Sequence, residues 1–158
     1  MKLLLITTFL LLSNLAHSAA LLSGSKSLGV KLSGASIDGE YYSIAGISFN
    51  YFAIDNLSVG GSYEYWFSGS PTVYKATAES TYYVPASKTF RPYFGILYSH
   101  YFIEDDHDIE TLGYRVGVAY MQEPLYFSGG IKQEYYLSDS SIFSDEDMTV
   151  EFMVGLEF

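Results

Sequence analysis

The chain has no cysteine, so neither a disulfide framework nor thiolate metal or redox chemistry is open to it. It is also short of charge. Only 16% of its residues are Asp, Glu, Lys or Arg, and the 8 basic residues are outnumbered by 18 acidic ones. That balance lacks the basic patch a nucleic-acid binder requires, and no nucleic-acid partner is expected. Beyond residue 20 no stretch stays apolar for the roughly 18 positions a membrane-spanning helix needs. Acidic disordered chains are poor in aromatics. This one carries 16 Tyr and 11 Phe, so disorder is excluded as well.

What is present begins with an export signal. Lys2 supplies the positive charge, Leu3 to Leu12 the apolar core, and Ala16-His17-Ser18-Ala19-Ala20 a small-residue cleavage region. Cleavage is expected after Ser18, with Ala16 at the −3 position, or after Ala20, with Ser18 there. Residues 1–20 are therefore set apart from the fold, and residues 21–158 are expected to form one domain.

The remainder reads with a period of two. Alternating segments cover 26–34, 40–52, 57–67, 73–84, 90–102, 111–121, 125–136 and 148–158. Each is about 9–13 residues, the length at which a tilted strand crosses a bilayer. The links after the second, fourth and sixth segments are short: Ala53 to Asn56, Pro85 to Thr89 and Gln122 to Pro124. The others include longer polar loops, notably Ile103 to Glu110 and Leu137 to Asp147. Short turns at one rim and long loops at the other suit a membrane barrel with its turns periplasmic. An even strand count returns the first and last strands to one rim, where they can pair.

Charge sorting decides between a soluble and a membrane barrel. One face runs Leu28, Val30, Leu32, then Ala45, Ile47, Phe49, Tyr51, and continues in the same register through Phe94, Ile96, Tyr98 and Leu112, Tyr114, Val116 to Phe152, Val154, Leu156 and Phe158. No Asp, Glu, Lys or Arg stands on it. The opposite face carries Lys31, Glu64, Lys75, Glu79, Arg91, Arg115, Lys132, Glu134, Glu151 and Glu157 among Gly, Ser and Thr. Arg or Lys at mid-depth against lipid costs roughly 2–4 kcal/mol, so a lipid face must exclude them. A soluble barrel sorts the other way, apolar inside. The expected fold is all-β, an eight-stranded antiparallel up-and-down transmembrane β-barrel. Tyr65, Phe67, Tyr74, Tyr98, Phe102 and Tyr135 would form an interfacial girdle near the loops. Phe49, Tyr51, Tyr82, Tyr120, Phe127 and Phe158 would form the second near the turns.

Two stretches carry a family likeness. Tyr51-Phe52-Ala53-Ile54-Asp55-Asn56-Leu57-Ser58-Val59-Gly60 resembles the first periplasmic turn of the small OmpA/OmpX-type outer-membrane barrels, and Arg91-Pro92-Tyr93-Phe94-Gly95 resembles their fifth-strand entry. The alternation that runs out on Phe158 resembles the C-terminal signal that the barrel-assembly machinery reads in that family. The likeness implies a Gram-negative outer membrane, with the bilayer and lipopolysaccharide as surroundings. No peptidoglycan-binding domain, which some members carry after the barrel, is expected beyond Phe158.

The inward charges balance, five basic against five acidic. A buried ion-pair network is expected, because eight strands leave a bore that side chains fill. A gated ion path is the alternative. The negative excess lies in the outer loops, including Asp105, Asp106, Asp108, Asp145, Glu146 and Asp147. That rim has three readings: a repulsive solvated surface, a Ca²⁺ or Mg²⁺ site built from hard oxygen ligands, or contact with a basic extracellular partner. No EF-hand spacing occurs and no cofactor is expected. His100 lies on the lipid register near the outer rim, but its same-strand neighbours are Tyr98 and Phe102 and not the serine a barrel lipase needs. The Asp-x-His of Asp105-Asp106-His107 resembles a barrel-protease element without the second acidic pair, and no enzyme is expected. Asn56-Leu57-Ser58 fits a glycosylation sequon that a bacterial periplasmic turn would not use.

Overall fold

The computed structural model describes residues 21–37, 40–104, 107–137 and 146–158. The expected leader lies outside the described residues. Eight strands follow in order: β1 (Lys26–Ile37), β2 (Glu40–Ile54), β3 (Leu57–Phe67), β4 (Val73–Tyr83), β5 (Phe90–Ile103), β6 (Ile109–Gln122), β7 (Leu125–Tyr136) and β8 (Glu146–Glu157). Each pairs antiparallel with the next, and β8 pairs with β1 to close the barrel. At ~3.3 Å per residue the eleven residues of β3 extend about 36 Å, and at a tilt of ~40° they rise about 28 Å, enough for an apolar band ~25 Å tall.

Period two alone places the strand centres correctly, because a one-residue slip would turn every side chain to the wrong face. The ends differ. β1 runs on to Ile37, β6 starts at Ile109 and β8 starts at Glu146, each two or three residues further toward the loop rim than alternation indicates. Those residues still complete backbone pairs such as Ile37↔Glu40 and His100↔Glu110. At that height lipid no longer forbids polar side chains, so the apolar alternation fades while the hydrogen-bonded ladder continues.

The faces are inverted relative to a soluble barrel. Ile96 is 67% exposed, Ile47 61% and Phe152 61%, whereas Lys75 is 0% exposed and Arg115 2%. Aromatic rings line the exposed wall in contact with one another. Tyr65 stacks on Tyr74 with centroids 5.2 Å apart near the loop rim, and Phe90 meets Tyr120 at 5.1 Å near the turn rim.

The turn between β2 and β3 rests on Asn56, whose φ of 64° falls in the left-handed region that Asn tolerates. Its carbonyl accepts Tyr83 N at 2.8 Å. The seam is extended by reciprocal bonds, Phe158 N to Lys26 O at 2.9 Å and Lys26 N to Phe158 O at 2.8 Å. The Phe158 side chain stands on the outer wall, 40% exposed.

Candidate functional site in the barrel lumen

The inner register of β4 shows how the lumen is filled. From the loop rim inward it reads Val73, Lys75, Thr77, Glu79, Thr81 and Tyr83, all buried. Apolar residues stand at both ends and charge in between. β6 repeats the order, with Ile109 above, Arg115 at the centre and Ala119 and Met121 below.

The outer layer consists of Ala35, Tyr42, Ile44, Trp66, Val73, Tyr101, Ile103 and Ile109, with Tyr136 against it. Trp66 is its hub. Its ring centroid lies 5.8 Å from Tyr42 and 5.6 Å from Tyr101, the latter edge-on at 76°. The inner layer consists of Leu21, Phe52, Tyr83, Tyr93, Ala119, Met121, Tyr126 and Met153. Between Leu21, Ser27, Phe52, Tyr83, Met121, Tyr126 and Glu157 there is essentially no free volume for a water molecule.

The middle layer divides into two groups of four charges, each with two of either sign. In one, Glu79 accepts from Lys31 Nζ at 3.1 Å and Arg115 Nη1 at 2.9 Å, and Arg115 Nη2 reaches Glu151 at 2.6 Å. In the other, Glu134 takes Lys75 and, at 3.3 Å, Lys132, whose Nζ is also 4.0 Å from Glu64. These bridges cross the bore: Lys31 on β1 meets Glu79 on β4, and Lys75 on β4 meets Glu134 on β7. Neutral donors complete the carboxylate shells. Tyr101 Oη and Thr111 Oγ1 donate to Glu134 at 3.1 and 2.9 Å, and Lys31 also donates to Ser62 Oγ at 3.0 Å.

Aromatic rings couple the layers. Lys75 Nζ lies 4.6 Å from the Tyr101 ring centroid, and the Arg115 guanidinium lies 5.1 Å from that of Tyr93. Each contact sets a buried cation on the negative face of a ring, which partly replaces lost hydration. Glycine makes room for the inward rings. A Cβ on Gly155 would lie 2.4 Å from the Tyr126 ring.

Two inward charges do not join this layer. Arg91, expected within it, is a correction: it sits at the turn rim and its Nη1 donates to Asn56 Oδ1. Arg91 is the second residue of β5, too near the turn for its side chain to reach the mid-barrel carboxylates. Glu157, the inward residue at the end of β8, stands at the same rim and accepts from Leu21 N and from Ser25 Oγ at 3.0 Å. The two apolar layers escaped the sequence reading, which saw only charge among Gly, Ser and Thr on this face. Their signal is a local loss of alternation at strand ends, as in Tyr65-Trp66-Phe67, Tyr82-Tyr83 and Tyr101-Phe102-Ile103.

At the loop rim, Asp105, Asp106 and Asp145 lie outside the described residues. Glu146 and Asp147 contribute backbone pairs with Tyr135 and Glu134. Asp108 turns to the outer wall, its Oδ2 3.2 Å from His100 Nε2, while Glu110 Oε1 is 3.7 Å from His100 Nδ1. His100 also packs on Phe102, with centroids 4.5 Å apart. Sequence alone placed His100 correctly but not its carboxylates, Asp108 just ahead of β6 and Glu110 at its start. The four positions flanking it on this face, Tyr98, Phe102, Ala76 and Glu110, include no serine.

No protein-family model matches the sequence, and no curated protein matches it. Solved structures do. The N-terminal β-barrel domain of Pseudomonas aeruginosa OprF superposes with a TM-score of 0.65 at 19% identity, covering 86% of this chain and 100% of that one. Neisserial surface protein A gives 0.61 at 16% identity over 84% of this chain and 94% of that one. The Yersinia pestis outer membrane protein Ail gives 0.54 at 14% identity, over 86% and 100%. At such identities the likeness carries the fold alone, that of an eight-stranded antiparallel transmembrane barrel.

Proposed function

We propose that the protein is a structural and surface-interaction barrel of the bacterial outer membrane, exported by its N-terminal leader, with a lumen closed to ions and acidic loops turned outward. One observation carries the closed lumen: ion bridges span the bore at mid-depth, between an apolar layer on either side. Moving a hydrated ion through would require parting those layers and breaking pairs that are themselves desolvated, which is costly with no water to replace the lost partners. The outward apolar wall supports residence in a bilayer, and the structural neighbours support the outer membrane in particular. The lipid surroundings are then phospholipid and lipopolysaccharide, and the barrel-assembly machinery would read the strand that ends on Phe158. The exposed Glu104, Asp108 and Glu110 extend the acidic character of the loops to the top of the wall. That rim suits a basic partner or bridging divalent cations. A catalytic role is not part of this reading, since His100 has carboxylates but no serine beside it.

Planar-bilayer recording of the refolded protein tests the closed lumen. No reproducible unitary conductance is expected from the wild type or from Arg115→Ala. Steady steps in the wild type that change size in Arg115→Ala would favour the gated ion path instead.

A further inference from the structure

The inner mouth of the barrel is held by the residues that follow the leader. Leu21 is 3% exposed and packs beside Phe52, Tyr83 and Met121. Its carbonyl accepts Asn56 N at 2.8 Å, and Ser23 N donates to Asp55 Oδ1 at 2.8 Å, so the segment is fastened to the β2–β3 turn. The Leu21 backbone nitrogen itself points at Glu157 and donates to Oε1.

Glu157 is unusual among the inward carboxylates. Glu64, Glu79, Glu134 and Glu151 each have a basic nitrogen within 4.0 Å. Glu157 is as buried as they are, at 5% exposed, yet among the described residues no Lys or Arg nitrogen comes within that distance. A buried carboxylate without a counter-ion is expensive. The second oddity is the backbone. Leu21 has φ of 63°, a left-handed conformation that a branched side chain rarely adopts. That torsion exists only while the Ala20 carbonyl is attached to the Leu21 nitrogen.

We propose that signal peptidase cuts after Ala20 and that the ammonium group so freed on Leu21 is the counter-ion of Glu157. Water adds across the Ala20–Leu21 amide. The hydroxyl goes to the Ala20 carbonyl carbon, which leaves as a carboxylate, and the protons go to the Leu21 nitrogen, an ammonium below its usual pKa of about 7.7–8.0. The cut turns a neutral N–H donor into a charged one already aimed at the carboxylate, and it abolishes the strained torsion. A cut after Ser18 would do neither, since Ala19 and Ala20 would remain ahead of Leu21. The sequence leaves the two sites open, and the geometry distinguishes them. The inference rests on the export reading, and maturation then becomes the step that pegs the N-terminus to the last strand across the β1–β8 seam.

The test is to express the full chain in a Gram-negative host, recover the protein from outer membranes and determine its N-terminal residue and intact mass. Leu21 is the expected first residue. A start at Ala19 overturns the cleavage assignment alone, whereas an uncut Met1 overturns the export reading with it. The ion pair is tested separately with Glu157→Gln, placed in the Leu21-start protein and in an Ala20→Gln variant whose N-terminus is displaced. In the first background Glu157→Gln should speed unfolding about tenfold, as loss of a charge-assisted hydrogen bond would. In the second it should change the rate little. Equal effects in both backgrounds would overturn the counter-ion assignment.

Discussion

Arg115→Met should lower the unfolding free energy by roughly 3–5 kcal/mol, the cost of removing one partner from a buried ion group. Arg115 is 2% exposed and is bonded to Glu79 at 2.9 Å and Glu151 at 2.6 Å, with Tyr93 beside the guanidinium. Methionine fills much of the same volume, so the loss is electrostatic and not a cavity effect. The remaining charges predict which second change rescues it. Glu79 keeps Lys31 at 3.1 Å, whereas no Lys or Arg apart from Arg115 lies within ion-pair distance of Glu151 among the described residues. Arg115→Met with Glu151→Gln should therefore recover a large part of the loss, and Arg115→Met with Glu79→Gln should recover less because it strands Lys31. Urea unfolding in detergent micelles measures all three. A loss below about 1 kcal/mol in the single variant, the range of exposed pairs, would mean that water reaches the layer.

Ile96→Arg should cost roughly 2–4 kcal/mol when the barrel folds into lipid vesicles, and Phe102→Arg about 0–1 kcal/mol. Both side chains stand on the outer wall of β5, 67% and 41% exposed, but Ile96 is mid-strand and Phe102 is one residue from its outer end. In water the two substitutions would be nearly equivalent, because a new surface charge on an exposed site is usually within ±0.5 kcal/mol. The difference between them reads the depth of the hydrocarbon directly. Folding equilibria of the two variants against the wild type measure it.

The barrel could be read from the chain because lipid imposes one rule at membrane depth, no charge on the outward register, and the outward Glu110 stands above that depth at the loop end of β6. Residues such as Ile47, Ile96 and Phe152 obey it without exception, so register and topology follow together. The lumen imposes no such uniform rule. Lys75 and Tyr83 share the inward face of β4, one in the charged layer and one in the apolar layer. Which inward residue meets which is fixed across the bore, between strands far apart in sequence. Lys75 stands directly opposite Glu64 in the β3–β4 ladder, yet it bonds Glu134 on β7. Arg115 and Lys132 are ladder neighbours of like sign, made compatible by carboxylates from other strands. Arg91 has the right face but the wrong height, and alternation carries no information about height. For the same reason the charges could be counted from sequence, but the two groups of four could not be drawn.

The absence of cysteine permits a direct test of where the two faces lie. A single cysteine at position 96, labelled with an environment-sensitive fluorophore in the vesicle-inserted protein, should emit as in hydrocarbon. Brominated acyl chains should quench it, and aqueous iodide should not. A label at position 96 that iodide quenches and brominated lipid leaves untouched would contradict an outer wall immersed in the bilayer.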